Sequence, residues 1–269
     1  MSEDLQHLVD KITEEVMRKF NQQEETISEK PPVDINNITT SINNHFITGK
    51  EIARMIDHTL LKPESTKEEI INLCEEAIEH QFFSVCINPY WVTTAAKVLE
   101  QSNVGIATVI GFPLGTTSTF TKVSEARDAI ASGATEIDMV INIGAMKSGD
   151  YDTVRNDIEA VAIAINGQSL LKVIIETGYL SDEEKKKACM LSKMAGADYV
   201  KTSTGFGPGK ATPEDVRLMK ETVGAEIGVK ASGGVRDLDT ARKLIESGAS
   251  RLGASSGKEI IKGAQGHGY

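Results

Sequence analysis

Short β-type runs alternate with amphipathic helical stretches along the chain from about residue 48 onward. The strand-like runs are rich in Val and Ile, and the stretches between them repeat apolar residues every three or four positions. Glycines at positions 133, 167, 196 and 248 predict the ends of four of these helices. The predicted strands are Ile56–Leu61, Ser84–Ile87, Gly105–Ile110, Glu136–Asn142, Leu171–Glu176, Asp198–Thr202, Ile227–Ala231 and Ser250–Gly253.

This alternation predicts a parallel sheet, because a parallel crossover needs a dozen or more residues and is usually helical. Eight such units predict an α/β protein with a (β/α)8 barrel at residues 48–269. A doubly wound open sheet is the alternative. It would favour an early Gly-x-Gly-x-x-Gly turn, which the sequence lacks.

The N-terminal residues form a separate pattern. An apolar stripe predicts an amphipathic helix at 1–20, and the polar stretch 21–47, with Pro31-Pro32, predicts a partly disordered linker. The helix either caps the barrel or a subunit partner, or it is a detachable docking peptide. In the second reading it resembles the N-terminal helices that target cargo enzymes to bacterial microcompartments.

Composition narrows the possible partners and the compartment. The formal net charge of −10 argues against nucleic acid or an anionic membrane as a partner, so any phosphate must be held locally. Three sparse cysteines indicate a reducing compartment. The sequence has neither a secretory h-region nor an apolar run near the roughly 20 residues that span a bilayer. We therefore expect a cytoplasmic protein.

Three ionisable residues fall on predicted strands where charge is costly. Lys201 and Lys230 lie near the C-terminal ends of consecutive strands, and Asp138 lies mid-strand between apolar neighbours. In a barrel these strand ends converge on one site, and a buried charge needs a partner or must be neutralised. Lys172, at the start of its strand, is predicted to be a solvated or paired structural charge.

Neighbouring buried lysines predict a specific chemistry. An ordinary lysine has a pKa of about 10.4, so about one in 2,500 carries a free amine at pH 7. Mutual repulsion and burial both disfavour the charged form, and an uncharged amine attacks carbonyls to form a Schiff base. Lys201, Lys230 and Asp138 together would supply a nucleophile, a cation and a proton carrier. A buried ion-pair network that only stabilises the barrel is the structural alternative.

Two glycine-containing loops follow the last two predicted strands, Ser232–Arg236 and Gly253–Ser256. The loops after strands seven and eight form the usual phosphate site of such barrels. Glycines let backbone N–H groups approach phosphate oxygens. The pair of loops therefore predicts a phosphate site, although each loop alone could be an ordinary turn.

Eight segments in order carry a family resemblance: Asp57–Leu61, Ser84–Pro89, Ala107–Pro113, Glu136–Asn142, Lys172–Thr177, Val200–Phe206, Val229–Arg236 and Arg251–Ser256. Together they resemble deoxyribose-phosphate aldolase, a family of class I aldolases, over residues 52–269. The resemblance implies reversible cleavage of 2-deoxy-D-ribose 5-phosphate to acetaldehyde and D-glyceraldehyde 3-phosphate, with no metal or other cofactor. Another Schiff-base aldolase of a phosphorylated sugar and a non-catalytic scaffold are the alternatives.

The resemblance also implies roles for individual residues. Lys201 matches the Schiff-base nucleophile, and Lys230 and Asp138 match the acid–base pair that acts through a water. The implied substrate-positioning residues are Asp57, Thr202 and Tyr269, and the implied phosphate-binding residues are Gly205, Gly233, Gly234, Gly253, Ser255 and Ser256. Tyr269 would belong to a mobile catalytic tail or to a frayed terminus.

One position departs from the family pattern. Some members have lysine where this chain has Phe206, so Lys210 or Arg236 would have to supply the positive charge.

We also expect a homo-oligomer, a dimer or a tetramer. The N-terminal helix has no counterpart in the family's core, and its partner stays open.

Overall fold

The computed structural model describes residues 47–266. The predicted helix at 1–20, the predicted linker up to residue 46 and Tyr269 lie outside the described residues. Within residues 47–266, no helix is long and apolar enough to cross a membrane.

Eight parallel strands form a closed barrel in sequence order. Each strand pairs with the next, and β1 also pairs with β8, which closes the barrel. The predicted (β/α)8 fold is therefore confirmed, and the open-sheet alternative is wrong. The strands are β1 Ile56–Leu60, β2 Ser84–Ile87, β3 Gly105–Ile110, β4 Glu136–Val140, β5 Leu170–Ile174, β6 Tyr199–Lys201, β7 Gly228–Ser232 and β8 Arg251–Ala254.

Helices surround the barrel and begin at well-formed caps. Thr48, Thr66 and Ser181 each form a capping box with a glutamate three residues later, which satisfies free N–H groups of the first turn. The α-helices are α1 Gly49–Ala53, α2 Lys67–His80, α3 Val92–Leu99, α4 Thr119–Ala131, α5 Ile143–Lys147, α6 Tyr151–Ile165, α7 Asp182–Met194, α8 Pro213–Val223, α9 Leu238–Glu246 and α10 Gly257–Lys262. Short 3-10 helices lie at Pro89–Trp91 and Thr177–Tyr179.

Two short helices, α1 and α5, were not predicted from the sequence. Five residues are too few to show a helical apolar period. Asn142, predicted to end a strand, instead caps α5: its side-chain oxygen accepts a hydrogen bond from the N–H of Ala145 at 3.0 Å. As a result β4 ends two residues earlier than predicted, at Val140.

The barrel interior is unusually polar. Bulky apolar residues normally fill such a barrel in layers, and here Ile, Val and Leu side chains pack between the strands and helices. Seven charged side chains inside the barrel are each at most 3% exposed: Asp57, Glu136, Asp138, Lys172, Lys201, Lys230 and Arg251. Burying this many charges is costly unless they are paired with one another.

An ion-pair cluster outside the barrel interior links β1 to two helices. Glu76 on α2 contacts Nε2 of His58 at 2.8 Å and Nζ of Lys258 on α10 at 2.5 Å. The hydrogen bond from His58, and then that from Lys258, lowers the pKa of Glu76 from 4.5 to about 2 although burial opposes the shift.

We expect this carboxylate to stabilise the fold only above acidic pH. Because its pKa is lowered on folding, its contribution is complete above about pH 4.5 and is lost as the pH falls toward 2. Urea unfolding from pH 7 to pH 3 would test this with Glu76→Gln. The stability gap between wild type and variant should narrow below pH 4.5, and a constant gap would contradict the assignment.

Candidate active site

Lys201 and Lys230 are direct partners in the register of β6 and β7. Nζ of Lys201 lies 2.7 Å from Oδ2 of Asp138, and Nζ of Lys230 lies 2.8 Å from the same oxygen. The distance between the two nitrogens therefore cannot exceed the sum of these two contact distances. The structure brings together the three residues that the sequence singled out.

Asp138 has a third lysine partner. Lys172 on β5 is in register with Asp138, and its Nζ contacts Oδ1 at 2.7 Å. Lys172 also contacts Glu136 on β4 at 2.5 Å and is completely buried. Lys172 was predicted to be a solvated or paired structural charge, and the structure shows the paired form. The side chain reaches the Asp138 carboxylate because β4 and β5 are adjacent.

Further ion pairs connect these contacts into a closed circuit. Arg251 on β8 contacts Glu136 at 3.0 Å and Asp57 on β1 at 2.8 Å. Asp57 in turn forms an ion pair with Lys230. We call this alternating circuit the charge ring, and it passes through Lys230, Asp138, Lys172, Glu136, Arg251 and Asp57 before returning to Lys230.

The contacts of the charge ring hold Asp138 and Lys230 in their ionised forms. Burial alone would raise the pKa of Asp138, but Lys172, Lys201 and Lys230 outweigh it and hold that pKa well below its ordinary value. Burial would lower the pKa of Lys230, but Asp138 and Asp57 raise it above its ordinary value instead. Lys230 is therefore a cation throughout the neutral pH range.

Lys201 is the unbalanced member of this cluster. The charge ring contains three cations and three carboxylates, so it is neutral without Lys201. A protonated Lys201 would add one uncompensated charge in a site where its side chain is only 2% exposed. Asp138 favours an ammonium, but ring cations already compensate its charge. An uncharged amine at Lys201, the form that attacks a carbonyl, stays a prediction from the sequence.

The sequence model of the "DeoC/LacD family aldolase" matches residues 52–263 of this chain. That range contains the whole barrel, including Lys201 and every member of the charge ring. The chain belongs to the DeoC/LacD aldolase family.

Individual relatives match across nearly their whole length. The deoxyribose-phosphate aldolase of Brevibacillus brevis is 61% identical over 80% of this chain and 98% of its own. That of Thermococcus gammatolerans is 58% identical over 81% of this chain and 99% of its own. The tetrameric deoxyribose phosphate aldolase structure from Aeropyrum pernix superposes with a TM-score of 0.76 at 30% identity, covering 87% of this chain and 97% of that one.

Asp57 and Thr202, implied as substrate-positioning residues, are both engaged inside this DeoC/LacD barrel. Asp57 is bound by Arg251 and Lys230, so it orients Lys230. The Thr202 hydroxyl donates to the carbonyl of Ser232 and accepts from its N–H, both at 3.0 Å. Thr202 thereby joins the ends of β6 and β7, and a direct contact with substrate stays a prediction for both residues.

The loops predicted to bind phosphate converge at the same end of the barrel. Gly233 and Gly234 have φ values of +90° and +77°, which a residue with a side chain rarely adopts. A Cβ at Gly253 would lie 2.3 Å from Oγ of Ser232, so the β7 and β8 loops touch there. The alkyl chain of Lys210 passes 3.0 Å from a Cβ position at Gly234, which brings this lysine to the loops.

Glu176 is a site residue to which the sequence analysis assigned no role. It follows β5 with φ +55°, an uncommon conformation for a residue other than glycine. Its Oε2 accepts hydrogen bonds from the N–H of Thr204 at 3.1 Å and from the Thr204 hydroxyl, which itself accepts from the N–H of Phe206 at 3.1 Å. Glu176 thus orders the loop that follows Lys201, and burial raises its pKa.

The same loop forms one wall of an open cavity at the barrel mouth. Phe206, the departure from the family pattern, packs edge-on against Phe112 with ring centroids 5.5 Å apart. The cavity is lined by Pro113, Leu114, Thr116, Ile143, Glu176, Tyr179, Thr204, Phe206 and Gly207. The mouth beside Glu176 is therefore lined largely by apolar side chains.

Gly207→Ala should disturb this loop through Glu176. A Cβ at Gly207 would lie 2.8 Å from Cδ of Glu176, so the carboxylate would have to leave Thr204. We expect the variant to lose about 1–3 kcal/mol of unfolding free energy, as overpacked sites commonly do. Urea unfolding would measure it. Gly144→Ala is the matched control because its Cβ would meet nothing closer than 3.5 Å, and equal losses in both variants would contradict the prediction.

Proposed function

We propose that this protein is a class I aldolase that reversibly cleaves 2-deoxy-D-ribose 5-phosphate to acetaldehyde and D-glyceraldehyde 3-phosphate. The observation that carries the proposal is the contact of Lys201 and Lys230 with one oxygen of Asp138. Membership of the DeoC/LacD family and close similarity to deoxyribose-phosphate aldolases support it.

Carbon–carbon cleavage follows from an uncharged Lys201. Its nitrogen adds to C1 of the open-chain sugar, and loss of water gives an iminium. Because acetaldehyde contains C1 and C2, the bond that breaks is C2–C3. The C3 hydroxyl loses its proton, C3 becomes the aldehyde carbon of glyceraldehyde 3-phosphate, and the electron pair of the C2–C3 bond forms an enamine. Protonation at C2 and addition of water then release acetaldehyde and free Lys201.

Lys230 and Asp138 supply the proton transfers in this proposal. Iminium formation places a positive charge beside the neutral charge ring until the enamine forms. A nearby positive charge disfavours the charged form of a lysine, so the iminium makes it easier for Lys230 to give up its proton. Asp138 contacts both lysines, so it can hold a water that relays protons between Lys230 and the substrate.

The phosphate group is proposed to bind where the β6, β7 and β8 loops meet. Gly205, Gly233, Gly234, Gly253, Ser255 and Ser256 supply backbone and hydroxyl donors there. The buried hydroxyls of Ser203 and Ser232 have no hydrogen-bond partner among residues 47–266, which leaves them available to an anion. Lys210 and Arg236 supply the charge that Phe206 does not.

Borohydride reduction in the presence of 2-deoxyribose 5-phosphate tests the proposal. Mass spectrometry of digested protein should locate the reduced adduct on Lys201, and an independent assay should detect glyceraldehyde 3-phosphate. An adduct on a different lysine, or cleavage of other phosphorylated sugars in preference to this one, would reject the proposed assignment.

For residues 1–47 we propose a docking role that is separate from catalysis. The family match begins at residue 52, and the Brevibacillus relative is matched over 98% of its length without this segment. An amphipathic helix on a polar linker suits a partner groove, such as one in a bacterial microcompartment shell. Deleting residues 1–46 should leave kcat/KM unchanged and alter only location, whereas a loss of stability would favour the capping role.

We also propose that the protein assembles as a dimer or tetramer in the cytoplasm. The structural relative from Aeropyrum pernix is described as tetrameric. Light scattering of the full chain distinguishes these states, and a monomer at micromolar concentration would reject both.

A further inference from the structure

Glu136 and Arg251 complete the charge ring at a distance from the nucleophile. Glu136 precedes Asp138 by two residues on β4, and the Arg251 guanidinium lies 3.4 Å from the ring centroid of Phe83. Both are at most 3% exposed. Within residues 47–266 their ion pairs are to Lys172, to Asp57 and to each other. Neither forms an ion pair with Lys201 within the described residues, so their charges act on it at a distance.

We propose that Glu136 and Arg251 are positioning residues that set the charge on Lys201 by completing the balance of the charge ring. This inference rests on the proposed function, because it concerns the same nucleophile. An ordinary structural role would not predict the sign of the effect. Here, removing Glu136 and removing Arg251 must change the protonation of Lys201 in opposite directions.

The opposite directions follow from the sign of each charge. Removing the carboxylate of Glu136 leaves the ring with one excess positive charge, which disfavours protonation of Lys201. Removing the guanidinium of Arg251 leaves one excess negative charge, which favours it. These effects extend over several ångströms because buried charges are poorly screened. Damage to packing would instead impair both variants in the same way.

Every charged group around Lys201 enters this balance. Asp138 contacts it directly, and Lys172 and Lys230 share that carboxylate. Cys86 on β2 and Glu176 after β5 also interact electrostatically with Lys201. The remaining members are Asp57 on β1, Glu136 on β4 and Arg251 on β8. Of the two bonded pairs farthest along the ring from Asp138, Glu136–Arg251 is chosen because the other pair contains Asp57, which is itself paired with Lys230.

The test is the pH dependence of borohydride trapping with acetaldehyde, a substrate that needs no phosphate site. Trapping should rise with pH as the Lys201 amine becomes free. We expect the Glu136→Gln profile to move to lower pH and the Arg251→Met profile to higher pH, each by on the order of one pH unit. Glu159→Gln and Arg127→Met, at exposed positions, are matched controls and should not move it.

The double variant Glu136→Gln/Arg251→Met separates the charge-balance effect from damage to packing. It removes one charge of each sign, so its profile should return to that of wild type. If Arg251→Met does not fold, Glu136→Gln and the double variant still decide the matter. Shifts of the same sign, or no shift in Glu136→Gln, would overturn the inference. Failure of wild type to trap acetaldehyde at Lys201 would instead reject the proposed function itself.

Discussion

Lys201→Leu is expected to abolish both the trapped adduct and aldol cleavage while leaving the fold intact. Without the nucleophile no Schiff base forms, and we expect kcat/KM to fall by at least about 10⁴-fold. The charge ring stays neutral, because the remaining three cations still match three carboxylates. The free energy of unfolding should therefore stay within about 1 kcal/mol of wild type, because an uncharged amine is replaced by an apolar side chain and the ring keeps its balance.

Cleavage assays, adduct mass spectrometry and urea unfolding would check this first expectation. Lys97→Leu, on the exposed surface of α3, is the matched control and should keep full activity. Residual cleavage through an adduct at another lysine would contradict the role assigned to Lys201. A large loss of stability would contradict the neutrality of the ring without it.

Lys230→Leu is expected to retain the nucleophile but to move its activity to higher pH. The variant ring has two cations and three carboxylates, so Lys201 takes up a proton to restore the balance. For each unit of that shift, the free amine at neutral pH falls tenfold, and a shift of about 3 units would cost roughly 10³-fold in trapping rate. At sufficiently high pH the adduct should still form on Lys201.

A double variant separates this explanation from simple loss of a contact. In Lys201→Leu/Lys230→Leu two cations, Lys172 and Arg251, are left against the three carboxylates of the ring. An uncompensated buried charge costs about 3–5 kcal/mol, so the double variant should be far less stable than Lys201→Leu alone. Urea unfolding would show the difference. An unchanged pH profile in Lys230→Leu, or additive small effects on stability, would contradict the charge-balance account.

The sequence predicted the barrel and its central residues because both depend on local pattern. Alternating strands and helices determine the parallel order, and the C-terminal strand ends of a barrel converge. Lys201, Lys230 and Asp138 could therefore be placed together before any coordinates. Their adjacency rests on neighbouring strands and on a register that brings Lys201 opposite Lys230.

The rest of the charge ring depends on closure of the barrel and on side-chain reach. Arg251 joins β8 to Asp57 on β1 and to Glu136 on β4, a set of contacts between strands far apart in sequence. Lys172 lies opposite Asp138 in the register of β4 and β5, and its side chain contacts that carboxylate. Glu176 could have been noticed, because a carboxylate directly after a buried strand lies at the same end of the barrel as Lys201.

The central claim is that the Lys201 side chain is uncharged at neutral pH, and lysine-selective labelling for NMR tests it most directly. The shifts of labelled lysine side chains would be followed from pH 5 to pH 11 in wild type and in Lys201→Leu. The account predicts one signal that has the shift of an uncharged amine at pH 7 and is missing from Lys201→Leu. If every lysine signal that Lys201→Leu removes titrates near the ordinary value of about 10.4, the account is contradicted.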